Sequence, residues 1–189
     1  MDDERTLAAE AAAGSRDAFD ELVKRHQLRI YRLVRVLTSG DEDAEDLAQE
    51  TFVRAFRGIA RFRGDSAFGT WLHRIAINVI KSHLSRRRRR PVMVGPRADD
   101  ATEGVIEGLA SADDFELAVH RRQAIDHAFA TLPEDQRALI VLRDVQGLEY
   151  HEIATIMGLP LGTVESRIFR ARQRLRPLLE HLWVRVSCD

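Results

Sequence analysis

The chain has 189 residues, 44% of them hydrophobic and 31% charged, the balance of a soluble globular protein and not of a disordered one. No run approaches the roughly 18 consecutive apolar residues of a membrane span, and the acidic start Met1-Asp2-Asp3-Glu4 lacks the positive charge of a secretory signal. The single cysteine, Cys188, excludes an intrachain disulfide and reads as an exposed tail thiol, so the expected location is cytoplasmic.

A formal net charge of −1 conceals strong segregation. Arg86 to Arg90 form an unbroken basic run, and Asp99, Asp100, Glu103, Glu107, Asp113, Asp114 and Glu116 form an acidic stretch. Arg167, Arg170, Arg172, Arg174 and Arg176 then crowd one late helix. Local concentration of this kind leaves nucleic-acid binding open despite the neutral total.

In chain order, a first helix is predicted over Glu4 to Ala13, ending near Gly14. Ser15 or Asp17 opens a second, with Phe19, Leu22, Val23, His26, Ile30, Leu33, Val34 and Leu37 on one face. Ser39-Gly40-Asp41-Glu42 has capping-box form, and the helix it opens turns Leu47, Thr51, Phe52, Ala55, Phe56 and Ile59 inward. After Gly64-Asp65-Ser66 a fourth helix carries Phe68, Trp71, Leu72, Ile75, Ala76, Val79, Ile80 and Leu84 on its apolar stripe. Four such helices can form a self-sufficient bundle.

Periodicity fails from about Pro91 to Ala112, which reads as a flexible linker between two domains. Helices resume at Asp113 or Asp114. Another runs from Pro133 to Val145 before Gly147, a short one covers Glu149 to Met157 before Gly158, and a last long one reaches about His181, with Pro177 a point of kinking. The fold class is all-α: two small helical domains, a four-helix bundle (residues 1–90) and a helix-turn-helix domain (114–189), joined by an acidic linker (91–113).

Residues 150–175 have helix-turn-helix layout. Leu161, Val164, Ile168, Ala171, Leu175 and Leu178 face inward, leaving Thr163, Ser166, Arg167, Arg170, Gln173 and Arg174 outside. An arginine-bearing helix fits the major groove and reads guanine bidentately, while Thr163 and Ser166 near its start suit phosphates through free backbone N–H groups. The alternative is a helical hairpin with a solvated basic face. Glu165 either accepts from cytosine N4 or points to solvent.

Around residues 61–71, aromatic and basic residues interleave: Arg61, Phe62, Arg63, Ser66, Phe68 and Trp71, followed by His73, Arg74, Asn78 and Lys81. Aromatics that stack on unpaired bases beside cations that hold the backbone are the chemistry of single-strand capture. Trp71 and Phe68 equally fit the core stripe. The five arginines suit phosphates, or simply end a solvated helix. Asp46, Gln49, Glu50 and Arg54 form a polar helix face with no catalytic geometry.

Taken in order, these motifs resemble the extracytoplasmic-function sigma factors of the sigma-70 family, most closely the envelope-stress sigma-E type. The resemblance spans roughly residues 15–90 and 114–180 and rests on several long motifs, among them Asp46 to Phe56, Arg61 to Asn78, Leu132-Pro133-Glu134 and Gly162 to Arg172. It implies docking on core RNA polymerase (the β′ coiled coil through Asp46, Gln49, Glu50 and Arg54, and the β flap). It implies −10 strand capture by Arg61, Phe62, Arg63, Ser66, Phe68, Trp71, Arg74, Asn78 and Lys81, and −35 duplex reading by Thr163, Ser166, Arg167, Arg170 and Arg174. An anti-sigma partner and a role in stress response are further implications. So is a linker crossing polymerase near the active site, where the acidic stretch from Asp99 to Asp114 could mimic nucleic acid. Glu165 stands where the family often has a basic residue, which bears on the −35 sequence read.

Other function classes fit less well. A ligand-sensing regulator has no use for the aromatic and arginine loop, and a helical adaptor predicts no salt-dependent promoter affinity. An enzyme is not expected: His151-Glu152 begins a zinc-type pair, but Thr155 stands where the motif needs histidine. No catalytic residue, metal, cofactor, small-molecule substrate or membrane insertion is expected.

Overall fold

The computed structural model describes residues 2–38, 43–89 and 112–184, and these are helical throughout their regular elements. In the first part, α1 is Asp2–Ala12, α2 Arg16–Leu37, α3 Ala44–Gly58 and α4 Phe68–Arg89, with one 3-10 turn at Ile59–Arg61. In the second, α5 is Ala112–Ala130 and α6 is Glu134–Ile140, continuing as a π turn over Val141–Val145. The α7 helix is Tyr150–Met157 and α8 is Leu161–Val184. The Ser39-Gly40-Asp41-Glu42 box and the linker core lie outside the described residues; α3 takes Asp43 as its N-cap.

Local signals explain most boundaries. Gly14 adopts φ +106°, which ends α1 cheaply, and the Ser15 hydroxyl accepts the Ala18 amide at 3.3 Å to cap α2. Gly158 closes α7 in the left-handed region at φ +66°. Pro133 sits at the N-cap of α6, one position before the first-turn place expected. The last helix passes Pro177 and continues to Val184.

The predicted stripe of α2 is buried at Phe19, Leu22, His26, Ile30, Leu33, Val34 and Leu37, with Val23 half-buried at its edge. On α3 the stripe is narrower than predicted. Leu47, Thr51 and Ala55 are buried, but Phe56 is 47% exposed and only edges against Phe19, ring centroids 5.1 Å apart. The helix turns Phe56 about 140° from Thr51. In the second part, Ile153 and Ile156 of α7 pack with Val164, Ile168, Ala171 and Leu175 of α8 around Leu139 and Leu142.

Candidate nucleic-acid interface

The aromatic group is assembled at the start of α4. Phe62 and Phe68 flank the Trp71 ring, with centroids 5.2 and 5.7 Å away, and the Trp71 ring also lies against Gly58. Phe68 is only 3% exposed, edge-on to His26 at 5.4 Å, so it supports the platform from beneath. Phe62 and Trp71 are half-buried and show part of their rings at the surface. Trp71 therefore packs into this group and also presents part of its ring at the surface.

Arg61 and Arg63 are exposed on the loop before α4, with Ser66 half-buried beside them. Arg74, Asn78 and Lys81 recur at helical spacing along one exposed face of α4. Arg86, Arg87, Arg88 and Arg89 are exposed at its end, while Arg90 lies outside the described residues. Four helical arginines at a C-terminus also complement the helix dipole.

His73, grouped with these polar residues in the sequence, is instead 1% exposed. Its Nδ1–H donates to the Gly69 carbonyl at 2.6 Å, and burial pushes its pKa down. His26 is likewise held below its ordinary value by burial, partly offset by Glu4, whose Oε1 lies 3.4 Å from Nε2.

On α3, Asp46 and Gln49 are exposed on the outer face. Glu50 and Arg54 pair with each other at 2.5 Å. Sequence reasoning passed over Val53 and turned Phe56 inward, yet both share that outer face, at 42% and 47% exposure. Their signal is position, opposite the buried Thr51 and Ala55, not residue type.

The last helix has one anchored face and one basic face. Val164, Ile168, Ala171 and Leu175 anchor it, which leaves Arg170 and Arg174 exposed and Thr163, Ser166 and Arg167 half-buried. Arg170 is exposed; the Ser166 hydroxyl donates back to the Thr163 carbonyl at 3.1 Å. Arg174 reaches Gln136 of α6 at 3.5 Å. The Thr163 and Val164 amides are already taken by the Pro160 carbonyl, at 2.9 and 3.1 Å, so neither is the free donor expected at this helix start. Arg172 serves structure: it grips Asp144 of the π turn through two hydrogen bonds, at 2.5 and 3.3 Å, which raise its pKa. Phe169, also passed over, stands 63% exposed beside Arg170.

Glu152 completes the capping box of α7 with Glu149, and no group of three or more potential metal ligands exists among the described residues. Nor is any helix among them long and apolar enough to cross a membrane.

An aromatic and basic bundle edge and a helix-turn-helix with an exposed arginine face, on one chain, define a two-part helical protein with surfaces suited to nucleic acid. The comparisons agree. Residues 22–90 match Sigma-70 region 2, and residues 122–175 match Sigma-70, region 4. The chain is 40% identical to the RNA polymerase sigma-H factor of Pseudomonas aeruginosa over 186 residues, 96% of each chain. It is 41% identical to the ECF RNA polymerase sigma-E factor of Escherichia coli K12 over 189 residues, 93% of this chain and 96% of that one. Two solved structures are similar in fold. CnrH in complex with the cytosolic domain of CnrY gives a TM-score of 0.70 at 31% identity, covering 95% of this chain and 98% of its own. The sigma factor RpoE in complex with the anti-sigma factor NepR from Bartonella quintana gives 0.65 at 27%, covering 86% and 96%. The chain belongs to the extracytoplasmic-function sigma factors of the sigma-70 family, transcription initiation factors and not enzymes.

Proposed function

We propose that residues 1–90 dock on core RNA polymerase and hold the melted −10 strand, that residues 114–189 read the −35 duplex, and that residues 91–113 join them. The observation that carries this division is the pairing of a surface Trp71–Phe62 platform beside Arg74, Asn78 and Lys81 with a separate arginine helix anchored by its opposite face.

Docking falls to the outer face of α3. Asp46 and Gln49 supply polar contacts to the β′ coiled coil, with Glu50 and Arg54 as a paired flank. Val53 and Phe56 add the apolar area that a polar quartet alone lacks. The β flap is the matching site for the second domain. Strand capture uses Trp71 and Phe62 for stacking, with Phe68 supporting from below. Arg61, Arg63, Ser66, Arg74, Asn78 and Lys81 hold backbone and base edges. On α8, Arg167 and Arg170 read base edges, and Thr163, Ser166 and Arg174 position the helix on phosphates. Exposed Phe169 suits an apolar contact with a thymine methyl. The protein works in the cytoplasm, where polymerase is, and an anti-sigma factor restrains it, as NepR is seen bound to the RpoE relative.

In-vitro transcription with purified core polymerase, with and without this chain, over a pool of stress-type promoters tests the assignment. Transcripts that depend on the chain, and that vanish in Trp71→Ala and Arg170→Ala variants still able to bind core, support it. Full activity of both variants would overturn the site assignment.

A further inference from the structure

Glu165 stands alone on α8. It is exposed, and among the described residues its side chain has no hydrogen-bond or ion-pair partner. The carboxylates around it are occupied: Asp144 holds Arg172, Glu149 and Glu152 form the capping box of α7, and Glu180 pairs with Arg176 at 2.9 Å. Nor can the helix itself supply a partner. The positions three and four residues from Glu165 are Leu161, Gly162, Ile168 and Phe169, none of them a cation.

Its angular position separates it from the basic residues. At 3.6 residues per turn, Glu165 lies about 40° from Leu161 and Phe169 and about 140–180° from Arg167, Arg170 and Arg174. The α8 helix therefore shows two flanks on either side of its anchored face. One is cationic. On the other a carboxylate stands between Leu161 and Phe169, which are 47% and 63% exposed. The cations further along that second flank, Arg172 and Arg176, are held by Asp144 and Glu180.

The chemistry of that flank selects a base. A carboxylate offers only acceptors. In the major groove guanine shows N7 and O6 and thymine shows O4, acceptors that repel it, and adenine sets its N6 amino group beside the N7 acceptor. Cytosine alone shows an amino group, N4, with no acceptor of its own next to it. The C5–H edge beside that amino group is apolar, as Leu161 and Phe169 are. Against any other base the carboxylate gives up water and receives no donor in exchange.

We propose that Glu165 is a specificity-determining residue of the −35 read, its carboxylate accepting from the N4 amino group of one cytosine while the arginines of the opposite flank take guanine. Near phosphates the charge of Glu165 lowers affinity for every sequence, and only a duplex with cytosine in place recovers the loss. The proposal rests on the duplex-reading assignment of α8 given above.

The test uses holoenzyme reconstituted from core polymerase and the full chain. Promoter fragments randomised through the −35 element are selected by binding and sequenced. The wild type should enrich cytosine at one position by about fivefold to a hundredfold, the scale of one specific base contact. Glu165→Gln should move the preference at that position to adenine, whose N6 and N7 a carboxamide matches. Glu165→Lys should move it to guanine and tighten binding to all fragments, with a steeper dependence on salt. Glu165→Asp keeps the charge but shortens the reach, so it should lose the cytosine preference without gaining affinity. Glu180→Gln, the same charge change as Glu165→Gln at the far end of α8, should leave the preference where it is. The Glu165 side chain is exposed and unbonded, so every variant should match the wild type in helicity by circular dichroism. A base preference unchanged in Glu165→Gln and Glu165→Asp, or affinities that shift equally for all fragments, would overturn the role of Glu165 and leave the reading by α8 standing. Wild-type holoenzyme that binds the fragments with no base preference anywhere in the −35 element overturns the reading by α8, and the role of Glu165 with it.

Discussion

Glu152 serves two partners with its two carboxylate oxygens: Oε1 accepts from the Thr70 hydroxyl at 3.1 Å, and Oε2 accepts from the Glu149 amide at 2.9 Å. One side chain therefore starts the first helix of the helix-turn-helix and ties it to the bundle. In the sequence the same residue follows His151 and looks like half of a metal pair. Its chemistry is that of an acceptor at a helix N-terminus, where exposed amides and the helix dipole favour negative charge.

Replacing Glu152 with alanine removes both bonds. Loss of a cap of this kind costs about 0.5–2 kcal/mol, so urea denaturation of Glu152→Ala should show a lower midpoint by that measure. Glu152→Gln should recover part of the loss, because its amide oxygen still accepts from the Glu149 amide. An alanine variant as stable as the wild type would show that the capping box contributes nothing.

Hydrophobic period and turn residues made most of the architecture readable. The α2 stripe, the Gly158 turn and the anchored face of α8 follow directly from three-and-four spacing and a left-handed glycine. What could not be read depends on neighbours distant in sequence. The second stripe of α4 is headed by Thr70 and His73, residue types that signal a solvated face until Gln146 and Glu152 arrive to cover them. Phe56 and Phe169 failed in the opposite direction. Their apolar side chains suggest core, or nothing in particular, yet their angular positions leave them outside. The π turn at Val141–Val145 was also invisible, because a buried apolar run suits α and π geometry equally.

Arg170 is exposed on the outer face of α8 and is the residue best placed to discriminate bases. Arg170→Ala should lose about 1–3 kcal/mol of discrimination between −35 sequences, measured by competition binding of holoenzyme to duplexes altered at single positions. Arg172→Ala is the informative contrast. Because Arg172 grips Asp144, its loss should lower thermal stability with little change in base preference. If the two phenotypes were exchanged, the face of α8 assigned to DNA would be wrong.

Trp71 joins the platform to the core through Phe62, Phe68 and Gly58. Trp71→Ala should weaken capture of a single-stranded −10 oligonucleotide by about 1–3 kcal/mol, the value of one stacked base. It should also lower the melting temperature, since part of the ring is packed. Trp71→Phe should restore most of the stability but less of the binding. Binding that followed stability in both variants would assign Trp71 to packing alone.

Arg86, Arg87, Arg88 and Arg89 separate electrostatic from base-specific binding. Changing all four to glutamine should weaken binding to every DNA sequence and reduce the slope of log affinity against log salt by about 0.7–0.9 for each phosphate no longer neutralised. Preference among promoters should stay put. A variant with an unchanged salt slope would mean that these side chains only end a helix.

His26 and His73 give the fold a pH dependence whose sign is set by burial. His26 is buried within the bundle and His73 where Gln146 of the second part covers α4, at 5% and 1% exposure, and desolvation holds both below the ordinary histidine value, with Arg29 pushing in the same direction. The unfolded chain therefore takes up protons near pH 6.5 that the folded chain refuses. Stability contributed by the neutral rings is present above that value and drains away as pH falls through it, by up to about 1.4 kcal/mol per pH unit for each ring, until the folded rings themselves protonate. Glu4 beside His26 and the Gly69 carbonyl on His73 moderate the effect, because each favours the charged ring. Denaturant melts at intervals from pH 8 to 5.5 should show a plateau above about 7.5 and a decline below, and a His26→Gln/His73→Gln variant should flatten the decline. Equal slopes in the two proteins would place the titrating groups elsewhere.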